Sequence, residues 1–431
     1  KETHRCSHVK KHAETLSERI DRIVTNKWLS YPIFLTLLYI IFEVTFTLGE
    51  YPMLWLTWLV DNLAAFIQMS MPDGMLRDMI VDGAIGGVGS VIVFLPNILL
   101  LYLFISLLED TGYMARTAFI TDKLMHRIGL HGKSLIPMVM GLGCNVPSVM
   151  ATRMIENPKS RLITMLIIPL MSCAGRMPVY ILIAGAFFPK NAGLVLLGLY
   201  ALGILLAIVA AKIMSAFFKE DDLPFVMELP PYRIPTAKSI FRHTWEKGRQ
   251  YLQKMSGIIL VCSMIIWFLG YFPNHNAYDT VQEQQEHSFI GYIGKSMEPV
   301  LKPLGFDWKM GVGIVSGVAA KELVVSTLGV MYADDQPVTV APESVGDSSL
   351  EAASESVAET RLQKALVKSV TPAGALAYMV FILLYFPCIA TFIAIKQEGG
   401  GWKWAILTAV YTIILAWVAA FITFNIASLF I

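Results

Sequence analysis

Five stretches of this chain run for twenty residues or more without a single Asp, Glu, Lys or Arg: Gly83–Leu108, Ala192–Ala211, Met255–Tyr278, Ser369–Ile395 and Trp404–Ile431. About 20 apolar residues in a row suffice for one helical crossing of a bilayer, whereas transmembrane β-barrels alternate polar and apolar residues and lack such runs. The chain therefore reads as all-α, a polytopic helical membrane protein. Composition agrees: 55% of the 431 residues are hydrophobic and 16% are charged, against about 45–50% and about 25% in soluble domains. A formal net charge of +1 gives no basic surface for nucleic acid. The five cysteines, Cys6, Cys144, Cys173, Cys262 and Cys388, are odd in number and scattered, which argues against a disulfide framework.

Residues 1–27 are polar and basic, and positive charge beside the first span places this end in the cytosol. The spacing then predicts about ten membrane segments. Trp28–Gly49, which contains Glu43, is a span. Tyr51–Ser70 carries Asp61 and reads as interfacial or packed in the bundle. Gly83–Leu108, the interrupted run 134–152, Leu162–Phe188 and Ala192–Ala211 complete a first half, 28–211. A basic cytosolic connector follows at 212–254, with a Pro-rich core at Leu229-Pro230-Pro231-Tyr232. The second half, 255–431, contains Met255–Tyr271, Met310–Tyr332, Ser369–Ile395 and the closing run. Residues 333–364 are acidic and low in complexity, and read as a flexible loop.

Several of these runs are interrupted. Gly141-Leu142-Gly143-Cys144-Asn145-Val146-Pro147 cuts the run Ser134–Thr152, Pro169 to Pro178 cuts Leu162–Phe188, and Pro387-Cys388 cuts Ser369–Ile395. The interruptions recur. At an offset of 176, Gly141 falls on Gly317, Cys144 on Ala320 and Asn145-Val146 on Lys321-Glu322; at an offset of 215, Cys173 falls on Cys388. This pattern implies two repeats, about 83–190 and about 255–396, each with discontinuous helices. Transporters built from two such halves bind their cargo near the midplane, where the broken helices meet. Backbone freed at membrane depth finds no partner in lipid, so it must line a cavity or bind something.

Cys144, Cys173 and Cys388 each stand at an interruption, with Asn145 beside the first. Sulfur, an amide oxygen and freed carbonyls suit a borderline-soft divalent metal such as iron, zinc or manganese; the competing reading is three compact packing residues. Seven methionines around the first two cysteines fit gap-filling in mobile helical interfaces at least as well as weak metal ligation. Glu109, Arg176, Lys321 and Glu322 are ionisable groups in or beside membrane segments, where a functional role is the default reading and a structural ion pair its rival. Glu322 is a candidate cation ligand. The tail residues His4, Cys6, His8 and His12 match no zinc spacing. Gly132-Lys133-Ser134 imitates a phosphate-binding loop, but Arg127 stands where that motif needs glycine and no strand precedes it. No nucleotide site and no catalytic constellation is read.

Six segments, SLLEDTGYMAR, GLGCNVPSVMATR, MSCAGRMPVY, ELPPYRIP with RHTWEKG, VAAKELVVSTLGVMY and YFPCIATF, occur in this order. Together they resemble the membrane domain of bacterial ferrous iron transport protein B, over nearly the whole chain. One departure is Ala174-Gly175, where the family pattern has the two residues swapped. The resemblance implies a paired gate fold similar to that of nucleoside transporters, in the bacterial inner (cytoplasmic) membrane. It implies uptake of Fe2+ as transported substrate, with Cys144, Cys173 and Cys388 as the family's motif cysteines. It further implies a GTP-binding domain upstream, which alone would use GTP and Mg2+, with residues 1–27 as the end of its helical linker. Small cytosolic Feo accessory proteins and a homo-oligomer are further expected partners.

The reading is thus a ferrous iron permease that is not itself an enzyme. Cys144, Asn145, Cys173, Cys388 and Glu322 line its path, and Glu109, Arg176 and Lys321 form a polar or gating cluster. A transporter of an organic solute such as a nucleoside, on the same fold, and a non-transporting membrane scaffold are the rivals.

Overall fold

The computed structural model describes residues 16–24, 26, 29–72, 74–217, 232, 235–273, 281–332 and 362–430. His4, Cys6, His8 and His12, the Pro-rich core before Tyr232 and most of the acidic segment 333–364 lie outside them. All regular structure among the described residues is helical.

A short amphipathic helix α1 (Leu16–Val24) precedes α2 (Ser30–Ser70). Sequence reading splits α2 into two segments; the structure makes it one helix of 41 residues through Pro52, about 60 Å long. Glu50 and Pro52 at the expected break are both exposed, and proline costs little where the loss of one hydrogen bond falls on an exposed face. Glu43 and Asp61 are both exposed. A single turn, α3 (Met75–Asp78), leads through a π-helical stretch, Met79–Ile85, into α4 (Gly86–Asp110). The left-handed Gly112 (φ 81°) turns the chain into α5 (Tyr113–Arg127).

The interrupted segments follow. Helix α6 (Leu135–Met140) stops and α7 (Asn145–Ala151) restarts after Cys144. Helix α8 (Pro158–Ile167) ends in a 3-10 turn, Ile168–Leu170, and α9 (Met177–Phe187) begins after a second, Ala174–Arg176. Helices α10 (Ala192–Phe217) and α11 (Ala237–Tyr271) flank the connector. Both extend into the span 212–254, so much of that basic segment is helix rather than loop. Two shorter helices, α12 (Val281–Glu286) and α13 (Phe289–Leu301), lead to α14 (Trp308–Ala319) and α15 (Leu323–Tyr332), which are separated by Ala320-Lys321-Glu322. Helical residues 362–369 (α16), α17 (Pro372–Leu384), α18 (Ile389–Glu398) and α19 (Trp402–Phe430) complete the chain.

Seven helical stretches among the described residues are long and apolar enough to cross a membrane. The expected ten reduce to seven for a physical reason. The first two merge into α2, and the runs 134–152 and 310–332 each fold as two short rods around an interruption. These rods sit inside. Helix α17 packs against α19 and α9, α14 against α13 and α15, α7 against α18, and α4 against α2 and α11. The broken helices hold the core, including Ile163, Leu166, Val179, Tyr180, Tyr378 and Leu383, all at 0–2% exposure. The unbroken α2, α10, α11 and α19 turn most of their apolar surface outward, as lipid-facing helices do. The chain is a multi-pass membrane protein.

Candidate functional site: four helix breaks in a ring

Each break is a place where the sequence withdraws hydrogen bonding from a helix. At the first, Gly141 and Gly143 carry no side chain and Pro147 has no N–H to give, so the chain unwinds at Cys144, which is extended (φ −149°, ψ 128°). Its repeat counterpart Ala320 adopts almost the same conformation (φ −145°, ψ 138°). Cys173 (φ −86°, ψ 161°) and its counterpart Cys388 (φ −56°, ψ 151°) are likewise extended, and each begins the next helical segment. The conformations match although Cys144 and Ala320 share no side-chain chemistry.

Contacts join the four breaks in a closed circuit. The amide of Ala174 donates to the carbonyl of Gly143 at 3.0 Å, linking the second break to the first. Gly175 lies against the carboxylate of Glu322, linking second to third. The ammonium of Lys321 donates to the carbonyl of Phe386 at 2.7 Å, linking third to fourth. Helix α18 packs on α7, and Cys388 and Cys144 share one apolar cluster, closing fourth onto first.

The circuit gathers most of the residues expected at the site. Cys144, Cys173 and Cys388 are free and half-buried. Cys144 stands within electrostatic range of Cys173, Cys388 and Glu322, and Cys173 of Arg176, Glu322 and Lys321. Cys388 meets the hydroxyl of Thr391 at 3.1 Å. Asn145 is 4% exposed, and its side-chain oxygen has no hydrogen-bond partner among the described residues. Arg176 is fully buried and donates to the carbonyls of Met171 and Pro169, both at 3.1 Å. Its cation thereby caps the freed, negatively polarised end of the α8 segment.

The circuit does not gather everything. Glu109, at the end of α4, pairs with Lys247 of α11 at 3.2 Å on an exposed surface. Nor do the cysteines and Glu322 form a ready metal cage: among the described residues, no three His, Cys, Asp or Glu side chains are grouped to hold one ion. Two residues were invisible to sequence reading. Tyr385 lies under Lys321, its ring centroid 3.2 Å from the ammonium. Tyr251, within the segment read as connector, is 6% exposed and stands in the field of Cys144, Cys388 and Glu322. Its signal was its place about four turns inside α11 (Ala237–Tyr271), apparent only once α11 is one helix.

Comparison with known proteins fits this arrangement. The family description "Gate: Nucleoside recognition" matches residues 91–187 and 252–402, and "Ferrous iron transport protein B C terminus" matches 196–247. The first description covers all four breaks. A "Fe(2+) transporter FeoB" of Campylobacter jejuni is 39% identical over 426 residues, covering 97% of this chain and 67% of that protein. The chain belongs to the FeoB family. A Porphyromonas gingivalis "Fe(2+) transport protein A/Fe(2+) transporter FeoB fusion protein" is 52% identical over 464 residues, covering 100% of this chain and 53% of that protein. A Staphylococcus aureus (strain MSSA476) FeoB is 41% identical over 430 residues, covering 96% of this chain and 60% of its own. The chain thus spans between about half and two thirds of these FeoB relatives. No solved structure matches it.

Proposed function

We propose that this chain is the permease region through which ferrous iron enters the cytosol of a bacterium, across the inner membrane. The observation that supports the reading is the circuit of contacts among the four breaks, since Cys144, Asn145, Cys173, Glu322 and Cys388 all stand at those breaks. Three sulfurs with amide, carboxylate and carbonyl oxygens suit a borderline-soft cation such as Fe2+. Ligands that are not grouped into a cage also suit transport, because an ion held by all of them at once would not leave. The names of the relatives, Fe(2+) transporter, support the same cargo.

The expected coupling follows from the N-terminal side. Helix α1 is tied to α5 by Arg116 and Asp21, with Nε–Oδ1 at 2.8 Å and Nη2–Oδ2 at 3.1 Å. The guanidinium also stacks on Tyr232 of the connector, 3.9 Å from its ring centroid. A cytosolic GTP-binding domain ahead of α1 would act on the breaks through this junction, since α5 packs on the turn that leads into α6. The fused transport protein A of the Porphyromonas relative supports a small Feo accessory partner on the cytosolic side.

The nucleoside-recognition match supports a second reading, an organic solute on the same fold. Sulfur at three breaks favours the metal. The deciding experiment is anaerobic Fe2+ binding by the purified protein, comparing wild type with the triple variant Cys144→Ser, Cys173→Ser, Cys388→Ser. Loss of a stoichiometric site with helix content intact is expected. Unchanged binding removes the cysteines from the path. Absence of Fe2+ binding in the wild type together with binding of a nucleoside gives the second reading.

A further inference from the structure

Lys321 poses a problem for any path that carries cations. It stands at the third break, 4% exposed, within electrostatic range of Arg176. Two buried cations next to a cation path repel the cargo. A charged amine is also costly at this depth unless something specific holds it. Here two things do. Its ammonium donates to the carbonyl of Phe386 at 2.7 Å, and it sits 3.2 Å from the centroid of the Tyr385 ring. Both partners belong to the fourth break, between α17 and α18. A carbonyl freed at a helix break and an aromatic face are what a bare metal cation would also seek.

The repeat sharpens this. At the offset of 176, Lys321 occupies the position of Asn145 in the first half. Asn145 is equally buried, and its side-chain oxygen accepts no hydrogen bond from the described residues. One half therefore presents an unoccupied acceptor, and the other presents an acceptor filled by a tethered cation. The residues directly before them, Cys144 and Ala320, have nearly the same extended conformation, so the two positions are entered alike and carry different side chains.

We propose that Lys321 is a built-in surrogate cation, seated on the Phe386 carbonyl and the Tyr385 ring, which the transported ion must displace. This rests on the reading that a divalent cation crosses the breaks. A monovalent ammonium and a divalent ion cannot share one carbonyl, so entry of the ion at the fourth break ejects the lysine. The neighbouring carboxylate of Glu322 receives it. With the path empty, the seat is filled, the third and fourth breaks are pinned together, and the Phe386 carbonyl is not left bare to other cations. The lysine thus acts as a plug and as a threshold of affinity.

The test is anaerobic isothermal titration of Fe2+ into the protein in lipid nanodiscs, on wild type, Lys321→Gln, Lys321→Arg, Tyr385→Leu and Tyr385→Phe. Removing the resident charge is expected to tighten Fe2+ binding about tenfold to a hundredfold, the ratio represented by one charge-assisted hydrogen bond and one cation–π contact. Lys321→Arg keeps a cation on the seat and is expected to stay near wild type. Tyr385→Leu removes the ring and shifts binding in the same direction as Lys321→Gln, by less. Tyr385→Phe keeps the ring, loses a hydroxyl that has no partner among the described residues, and stays near wild type. If Lys321→Gln does not fold, the Leu and Phe pair at position 385 carries the test alone. Equal or weaker Fe2+ binding by a folded Lys321→Gln, or by Tyr385→Leu relative to Tyr385→Phe, overturns the plug. Absence of Fe2+ binding in all variants and in wild type overturns the iron path itself, a result distinguishable from failure of the plug.

Discussion

Gly175 and Glu322 face each other across the second and third breaks so closely that a Cβ on Gly175 would lie 2.5 Å from the carboxylate oxygen Oε1. Such a distance is below any real contact, so one of the two must yield. The atom in the way is the end of a flexible side chain, so Glu322 moves and the backbone does not. Gly175→Ala is therefore expected to cost under about 1 kcal/mol of stability, the low end of overpacking effects, while displacing the carboxylate from the ring. The expected result is a near-normal thermal midpoint with reduced Fe2+ binding. A lowered midpoint with unchanged binding would mean that Glu322 only packs there.

Arg176, fully buried, holds two main-chain carbonyls. Truncation to Ala leaves both acceptors unmet, at about 1–3 kcal/mol each. Thermal unfolding in detergent is expected to show a loss of roughly 2–6 kcal/mol on this basis. Lys at position 176 would reach one carbonyl at most, because an ammonium lacks the planar fork of a guanidinium. Its expected midpoint lies between those of wild type and Arg176→Ala. Equal stability of all three would show that the carbonyls find other donors.

The two halves are also fastened at their ends. Glu398, 4% exposed at the end of α18, receives Arg153 (Nη2–Oε1 2.5 Å) and Arg161 (Nη2–Oε2 3.3 Å) from the segments around α8. The arginines are 49% and 34% exposed, so water and salt weaken the pairing. Glu398→Gln is expected to lose about 1–2 kcal/mol, less than for a fully buried pair, with a smaller loss at high salt. An effect independent of salt would point to packing rather than charge.

A pH dependence follows from Asp21. Its hydrogen bond to Arg116, aided by the charge of that guanidinium, holds the carboxyl below its ordinary value of 3.8. A carboxyl depressed on docking adds stability that is fully present above the ordinary value and lost as pH falls through the lowered one. Helix α1 should therefore stay docked on α5 down to about pH 4 and detach below it. A spin label at position 23, exposed on α1, would report this as rising mobility. Asp21→Asn should be mobile at every pH; a transition that survives in that variant would assign it to another group.

Much of this architecture was legible in the residues. Charge-free runs fix helices because lipid offers the backbone no partners. Clustered Gly and Pro fix where those helices stop, and the offset of 176 placed a break at Ala320 without any glycine or proline at that position. The stops at Cys144, Cys173 and Cys388 were visible for the same reason. What remained hidden depended on contacts between segments far apart in the chain. Whether Tyr51 begins a new helix or continues α2, whether Tyr251 faces solvent or the core, and whether Glu109 joins the ring or pairs with Lys247 all depend on neighbours that local pattern does not specify.

The sequence by itself determined the helices, their interruptions and the chemistry carried at each one, because these follow from backbone hydrogen bonding and side-chain type along a single segment. The tertiary structure decided that four interruptions close into one ring, that Lys321 rests on a carbonyl 65 residues away, and that the cysteines stand at separate breaks without, among the described residues, grouping into a metal cage. Those outcomes depend on distances between segments, which packing sets and no periodicity encodes.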